Sequence, residues 1–507
     1  MLILRALLAA CLLAVAFPTL SLWPLSFVAI ALLIVKLVDL QETPRRMALF
    51  FGTFAVGCNF VGFYWLAYTI HEFAEFSWFL SIPIAVLLFF ALGLISAGFG
   101  FVWQLLQLKF KNRSIYFRLL LLLLFFVLWD YQDIRLFPWS PMMALASNDY
   151  LLASVGVFDS LAWRFLFFAL SALTFVVLFS RERQKARIVS SFLFLSLLGG
   201  AMMVGRSHRD SLKKEYSQRQ PVALLQGNIG NYEKRQTDAG VEPTVRNVLS
   251  IYRNLIEEAA TTYAEIATGN DALEPWYVWP ETSFPGFPLR DRHMQDQLDF
   301  WVNMSRGLHL VGAYEDGTMM FNGKEKATEY NIALLLHEDV GYVDHYRKIA
   351  LMPYGEYFPG DFLVPQVYEW VPQVNHFGRG EGPKLLAHPD PNGPVFLPVI
   401  CYEMLFDDML NAAIDLAKKK YPGREIVIYN PTNDSWFGKT VEPFMHARLA
   451  RWQAARVSLP FLRATNTGVS MVVAPWGEVL AEGPLFGERV IYADLPVKKA
   501  QRRTRQD

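Results

Sequence analysis

Hydrophobic positions are unevenly spread along this chain. Before about residue 206 they form long, nearly unbroken runs; after it they come in short runs separated by amphipathic stretches. A hydrocarbon core takes roughly 20 apolar residues per helix. On that measure the first part predicts seven spans, at about 2–18, 20–40, 48–70, 80–108, 117–130, 161–180 and 188–205. The first run is short and carries Arg5 near its start, as a cleaved signal peptide does. A second run follows almost at once, which favours a retained helix.

The second part reads differently. The runs 221–229, 277–281, 308–314, 330–336, 394–403, 425–430 and 469–475 have the apolar, β-branched character of strands. The segments 242–268, 405–420 and 442–458 have helical periodicity; in 405–420, Leu405, Met409, Ala412, Ala413 and Leu416 mark one buried face. Strands alternating with helices imply a layered α/β domain. The expected organisation is a helical membrane domain (1–206), a linker (207–220, SHRDSLKKEYSQRQ), an α/β domain (221–497) and a basic tail (498–507).

Composition agrees with this division. Hydrophobic residues make up 53% of the chain and charged residues only 19%, against about 25% charged in an average soluble domain. The net charge is zero, which gives no hint of a nucleic-acid partner. Charge also orients the spans. Arg45, Arg46, Lys109, Lys111, Arg113, Arg181, Arg183, Lys185 and Arg187 lie in three short loops, whereas loops 71–79 and 131–160 hold only Arg135. By the positive-inside rule the basic loops are cytoplasmic, so everything after residue 206 faces outward. Cys11 and Cys58 sit in apolar runs, leaving Cys401 as a free thiol in a polar context.

Three segments of the second part end apolar strands with reactive groups: Trp279-Pro280-Glu281-Thr282; Tyr346-Arg347-Lys348 with Pro353-Tyr354-Gly355-Glu356; and Val399-Ile400-Cys401-Tyr402-Glu403. Strand ends of α/β sheets are the usual place for ligands. Cys401 precedes a helix expected to begin near Leu405, and the positive end of that helix would favour its thiolate. Glu281 has the chemistry to take the thiol proton, and Lys348 to stabilise an oxyanion. Taken singly, Cys401 reads as a small core residue and the two charges as solvated.

The words WPET, YRKIALMPYGEYFP, ICYE, NDSWFG and LRATNTG, in this order after several spans, resemble the apolipoprotein N-acyltransferases of Gram-negative bacteria. The resemblance covers nearly the whole chain. It implies a nitrilase-like αββα sandwich carried by the multi-span α-helical domain, with catalytic Glu281, Lys348 and Cys401 and accessory Glu356 and Glu403. It implies a two-step transfer without metal or organic cofactor: a phospholipid acyl chain passes to the Cys as a thioester, then to the α-amine of a diacylated apolipoprotein. The implied setting is the cell inner membrane, with a periplasmic catalytic domain and a monomeric chain in contact with the bilayer. Relatives commonly end in one more span, but no apolar run follows Val490 here. The expectation is weaker tethering, with the basic tail touching anionic headgroups. Two other readings stay open, a membrane-anchored amidase using water and a catalytically silent lipoprotein-binding module. A hydrolase has no need of seven spans, and a silent relative is expected to lose part of the triad.

Tyr402 is taken with the accessory, substrate-binding group. Trp436 and Phe437 read either as core aromatics or as lining for an acyl chain. Segment 353–377 reads either as a packed surface loop or as a lid dipping toward lipid. Arg463 is expected to bond a carboxylate or carbonyl. His345 and His446 suggest a metal or a base, but no second ligand stands at a suitable spacing.

Overall fold

The computed structural model describes residues 2–17, 22–132, 139–266, 273–353, 355–370 and 376–498. By internal contact the chain forms two units, 1–70 with 77–211, and 71–76 with 212–507. Tyr354, Arg135, part of the 353–377 segment and the tail after Lys498 lie outside the described residues.

In the first unit each of the seven apolar stretches is helical: Leu2–Ala16, Pro24–Leu37, Pro44–Gly62, Trp78–Lys109, Ile115–Gln132, Ser160–Leu178 and Gln184–Glu215. Among the described residues, three are long and apolar enough to cross a membrane alone: Trp78–Lys109, Ser160–Leu178 and Gln184–Glu215. Pro44–Gly62 joins Leu66–Phe73 as a fourth if the pair, bent by 59°, is one span, while Leu2–Ala16 and Pro24–Leu37 are shorter. Several polar groups inside this unit are paired, as a dry surrounding favours. Arg164 Nε lies 2.8 Å from the buried Asp130 carboxylate, and Trp103 Nε1 donates to the Leu37 carbonyl at 2.7 Å. The segment expected as a linker is helical to Glu215 and enters a strand at Gln218.

The second unit holds twelve strands: β1 Gln218–Gln226, β2 Trp276–Val278, β3 Leu308–Phe321, β4 Lys324–His337, β5 Gly341–Arg347, β6 Leu386–Ala387, β7 Val395–Pro398, β8 Ile426–Thr432, β9 Phe461–Thr465, β10 Met471–Val473, β11 Val479–Glu482 and β12 Arg489–Val497. They form two six-stranded sheets, ordered β12-β1-β2-β3-β4-β5 and β11-β10-β9-β8-β7-β6. Alternation along β1 shows why its run is almost wholly apolar. Ala223 and Leu225 pack with Val248, Tyr252 and Ile256 of the helix Glu242–Ile266, whereas Val222 and Leu224 meet Phe396, Val427 and Leu462 of the other sheet. Both faces are buried, so neither tolerates a polar side chain. The helices Asp407–Lys420 and Glu442–Val457 pack on the second sheet, completing an αββα sandwich.

Candidate active site

Parallel strands bring the reactive groups to one end of the sandwich. β2 ends at Val278, and the turn after it is clasped to β3: Trp279 N–H donates to Leu310 O at 2.8 Å and Phe284 N–H to Gly312 O at 3.0 Å. Gly312 is required by this clasp, because a Cβ there would stand 2.1 Å from Pro280 O and 2.8 Å from the Glu281 Cα. The turn carries the buried Glu281, next to Thr282 with φ +43°. From the second sheet, β7 delivers Cys401, whose own φ is +56°. That left-handed region is costly for a non-glycine residue, about 1–3 kcal/mol, and persists where surrounding bonds enforce it. Here Asn430 Nδ2 supplies them, donating to Val399 O at 2.6 Å and Cys401 O at 2.9 Å.

Lys348 follows β5 directly and is buried between two carboxylates. Its Nζ lies 3.0 Å from Glu281 Oε1 and 2.9 Å from Glu356 Oε1. Asn331 Nδ2 bridges the same two oxygens, at 2.7 and 3.1 Å. Backbone amides complete the set: Asn433 N–H donates to Glu281 Oε2 at 2.9 Å and Met352 N–H to Glu356 Oε2 at 2.7 Å. Burial works against the charge on Lys348, but Glu281 and Glu356 outweigh it and push its pKa well above the ordinary lysine value. The group is therefore a fixed ammonium. With these two acceptors, one of its three donors is left for a ligand.

Cys401 behaves oppositely to the expectation of a dipole-stabilised thiolate. Burial, and then the Glu281 carboxylate, push its thiol well above the ordinary value, against the pull of Lys348. The element it opens is a short 3-10 turn, Cys401–Leu405, and the longer helix starts only at Asp407. A one-turn element offers little dipole to oppose that burial. At rest Cys401 is a thiol beside the Glu281 side chain.

Glu281, Lys348, Glu356, Cys401, Trp436 and Phe437 all line one cavity of about 270 Å³. Two expected accessory residues do not line it. Glu403 is fully buried and accepts from Ile349 N–H at 2.6 Å, Ala350 N–H at 2.8 Å, Ile400 N–H at 2.7 Å and the Tyr346 hydroxyl at 2.9 Å. Tyr402 donates its hydroxyl to Leu351 O at 2.6 Å. Both brace the backbone around Lys348 and Cys401, since a buried polar side chain spends its bonds on nearby orphan groups. Asn331, Asn433, Tyr314, Lys234 and Phe73 line the cavity without having been expected. Asn331 was legible only through register: β4 and β5 pair Ile332 with Arg347, which sets Asn331 opposite Lys348.

Arg463 bonds both partners, Asp434 Oδ2 at 2.7 Å and Val469 O at 3.3 Å. His446 does have carboxylates within reach: its ligand atoms and those of Asp434 and Glu442 lie within 4.8 Å of one another. Sequence spacing missed this because Asp434 arrives from another element. Arg463 also contacts His446 Nδ1, at 3.0 Å, so a permanent positive charge already occupies the place a cation would take. His345 Nε2 is 3.2 Å from Glu315.

Comparison with known proteins accounts for both parts of the chain. Residues 222–505 match the carbon-nitrogen hydrolase family, and residues 9–155 match the apolipoprotein N-acyltransferase N-terminal domain. The chain is 31% identical to an apolipoprotein N-acyltransferase of Bdellovibrio bacteriovorus over 84% of its own length and 76% of the relative's. It is 26% identical to one of Rhodopseudomonas palustris over 98% and 89%. Among solved structures, an amidase from Nesterenkonia sp. is similar at 18% identity, covering 57% of this chain and 94% of the amidase with a TM-score of 0.36. The carbon-nitrogen hydrolase sandwich, preceded by the acyltransferase-specific membrane region and matched nearly end to end by full-length relatives, places the chain in the apolipoprotein N-acyltransferase family.

Proposed function

We propose that this protein is an inner-membrane N-acyltransferase that carries the acyl group on Cys401, takes it from a phospholipid and delivers it to the α-amine of a diacylated apolipoprotein. The observation that carries the reading is the joining of Glu281, Lys348 and Cys401 in one cavity, with Glu281 locked by three donors. In the first half, Glu281 takes the thiol proton as Sγ bonds to the ester carbonyl carbon. The carbonyl oxygen becomes an oxyanion facing the remaining Lys348 donor. The C–O bond to glycerol breaks, Glu281 returns the proton to the glycerol oxygen, and a lysophospholipid leaves. In the second half the amine nitrogen bonds to the thioester carbon, the C–S bond breaks, and the proton released by nitrogen passes through Glu281 to sulfur. The order is ping-pong, because the cavity offers one nucleophile for two acyl acceptors.

Loop charge supports seven spans with the catalytic unit outside: nine basic residues stand on one side against one on the other. Phe362, Leu363 and Trp370, exposed at 71, 74 and 69%, suit contact with lipid, which supports the lid reading of 353–377. The test uses the full-length protein in detergent. Phospholipid alone should add one acyl mass at Cys401. A diacylated lipopeptide with a free amine should then remove it and gain that mass, whereas its N-acetylated form should not. Release of free fatty acid at the same rate without any amine would mean hydrolysis instead. A phosphatase fused after residue 215 should be active if the orientation is right.

A further inference from the structure

We propose that residues 71–76 are a substrate-binding element of the catalytic cavity and that Phe73 is its acyl-chain specificity residue. The segment lies between two apolar helices in sequence, yet by contact it belongs to the unit that holds Cys401. Glu72, Phe73 and Glu75 line the same cavity as Glu281, Lys348 and Cys401. The segment is pinned on both sides of Phe73. Glu72 Oε2 accepts from Asn231 Nδ2 at 3.0 Å, and Glu75 Oε1 lies 2.7 Å from Arg235 Nη1.

Between these pins the Phe73 ring lies against Trp436, with centroids 4.4 Å apart and planes 30° from parallel. Gly355 makes room for it: a Cβ at that position would stand 2.5 Å from Phe73 Cε1. A glycine immediately before Glu356 and an aromatic from the last turn of the helix Leu66–Ala74 thus fit each other. The cavity lining is mixed. Lys348, Glu281 and Glu356 are ionic, Glu72 and Glu75 add charge on either side of Phe73, and Phe73, Trp436 and Phe437 are its aromatic members, the first two in contact. An acyl group held by Cys401 has its carbonyl drawn toward the ammonium. Its methylenes are best shielded from water against the aromatic members of the lining.

This inference rests on the reading of Cys401 as acyl carrier, and the experiment separates the two. Full-length protein and its Phe73→Ala, Phe73→Leu and Phe73→Trp variants are given phosphatidylethanolamines differing only in chain length, from 8 to 16 carbons. The rate of acyl-mass gain at Cys401 is then measured. Each methylene that loses an apolar contact should cost about fourfold, the equivalent of about 0.8 kcal/mol. Phe73→Ala should therefore lower the long-to-short rate ratio by about tenfold or more. Phe73→Leu should fall between, and Phe73→Trp, which narrows the wall, should shift the optimum to shorter chains. Shifts in opposite directions cannot arise from misfolding. No labelling of the wild-type protein by any donor would overturn the Cys401 reading itself. Normal wild-type labelling with an unchanged chain-length profile in all variants, or equal loss at every length in all three, would overturn the role of Phe73.

Discussion

Lys348 Nζ and Glu281 Oε1 are 3.0 Å apart, and the same ammonium holds Glu356 at 2.9 Å. Lys348 thus joins two buried carboxyl groups beside Cys401, and it does two jobs: it holds both side chains in place and it offers a donor to the oxyanion. Removing either partner should act on a different step.

Glu281→Gln should block acylation of Cys401, since an amide cannot accept the thiol proton; a loss of about 10²–10⁴-fold is expected for a missing general base. Lys348→Ala removes an oxyanion donor, worth about 10²–10³ in rate. It also leaves Glu281 and Glu356 facing each other without the cation between them, so Lys348→Ala should lower Tm more than Glu281→Gln does. Acylation of both variants at wild-type rates by intact mass would end the triad assignment.

The raised Cys401 thiol makes a second prediction. Site-resolved iodoacetamide labelling should be slow at neutral pH and climb without a plateau toward and beyond pH 9, because burial and Glu281 disfavour the thiolate. Lys348→Ala, which removes the opposing attraction, should slow it further. A labelling plateau at pH 7 would show a resting thiolate and restore the helix-dipole view.

Much of this was legible in the sequence, and the failures have physical causes. Glu281, Lys348 and Cys401 could be named because each ends an apolar run, and buried strands advertise themselves as such runs. Strand β12 (Arg489–Val497) and the helix Arg292–Ser305 were missed, since their charged residues break the apolar pattern. The way Glu403 assists was not legible, because adjacency to Cys401 says nothing about direction. Its carboxylate turns inward to backbone amides, away from the cavity. Phe73 was hidden by distance, 328 positions before Cys401 in the chain (401 − 73).

Asn331 offers a test of the network that sequence did not reveal. Its Nδ2 donates to both Glu281 and Glu356, and it lies against Lys348 through the β4–β5 ladder. Asn331→Asp sets a third carboxylate among two, while Asn331→Ala only removes a donor. We expect the Asp variant to lose more kcat than the Ala variant, with the former partly recovering at acidic pH as the extra carboxyl is neutralised. Equal kcat and equal pH profiles for the two would show that the amide only fills space.

Glu403 provides the last prediction. Its carboxylate ties Ile349 and Ala350, which follow Lys348, to Ile400, which precedes Cys401. It acts as a positioning residue: it fixes the distance between ammonium and nucleophile without touching substrate. Glu403→Gln presents an amide nitrogen where only acceptors fit, so one or more of these amides loses its partner, at about 1–3 kcal/mol each. Rate should fall through kcat with KM little changed, and Tyr346→Phe, which leaves the amides satisfied, should be milder. Burial raises the Glu403 pKa to about 7, against the pull of Lys348 and of the three amides, from an ordinary 4.5. Between about pH 4.5 and 7 the folded protein therefore holds a proton there that the unfolded chain has already given up. The stability linked to that proton is fully present below about 4.5 and is lost as pH rises through about 7. Glu403→Gln, which cannot titrate, should flatten that part of the stability–pH curve while lowering Tm throughout. Thermal unfolding of both proteins from pH 4 to 9 measures this, and parallel curves would show that Glu403 does not titrate in the folded state.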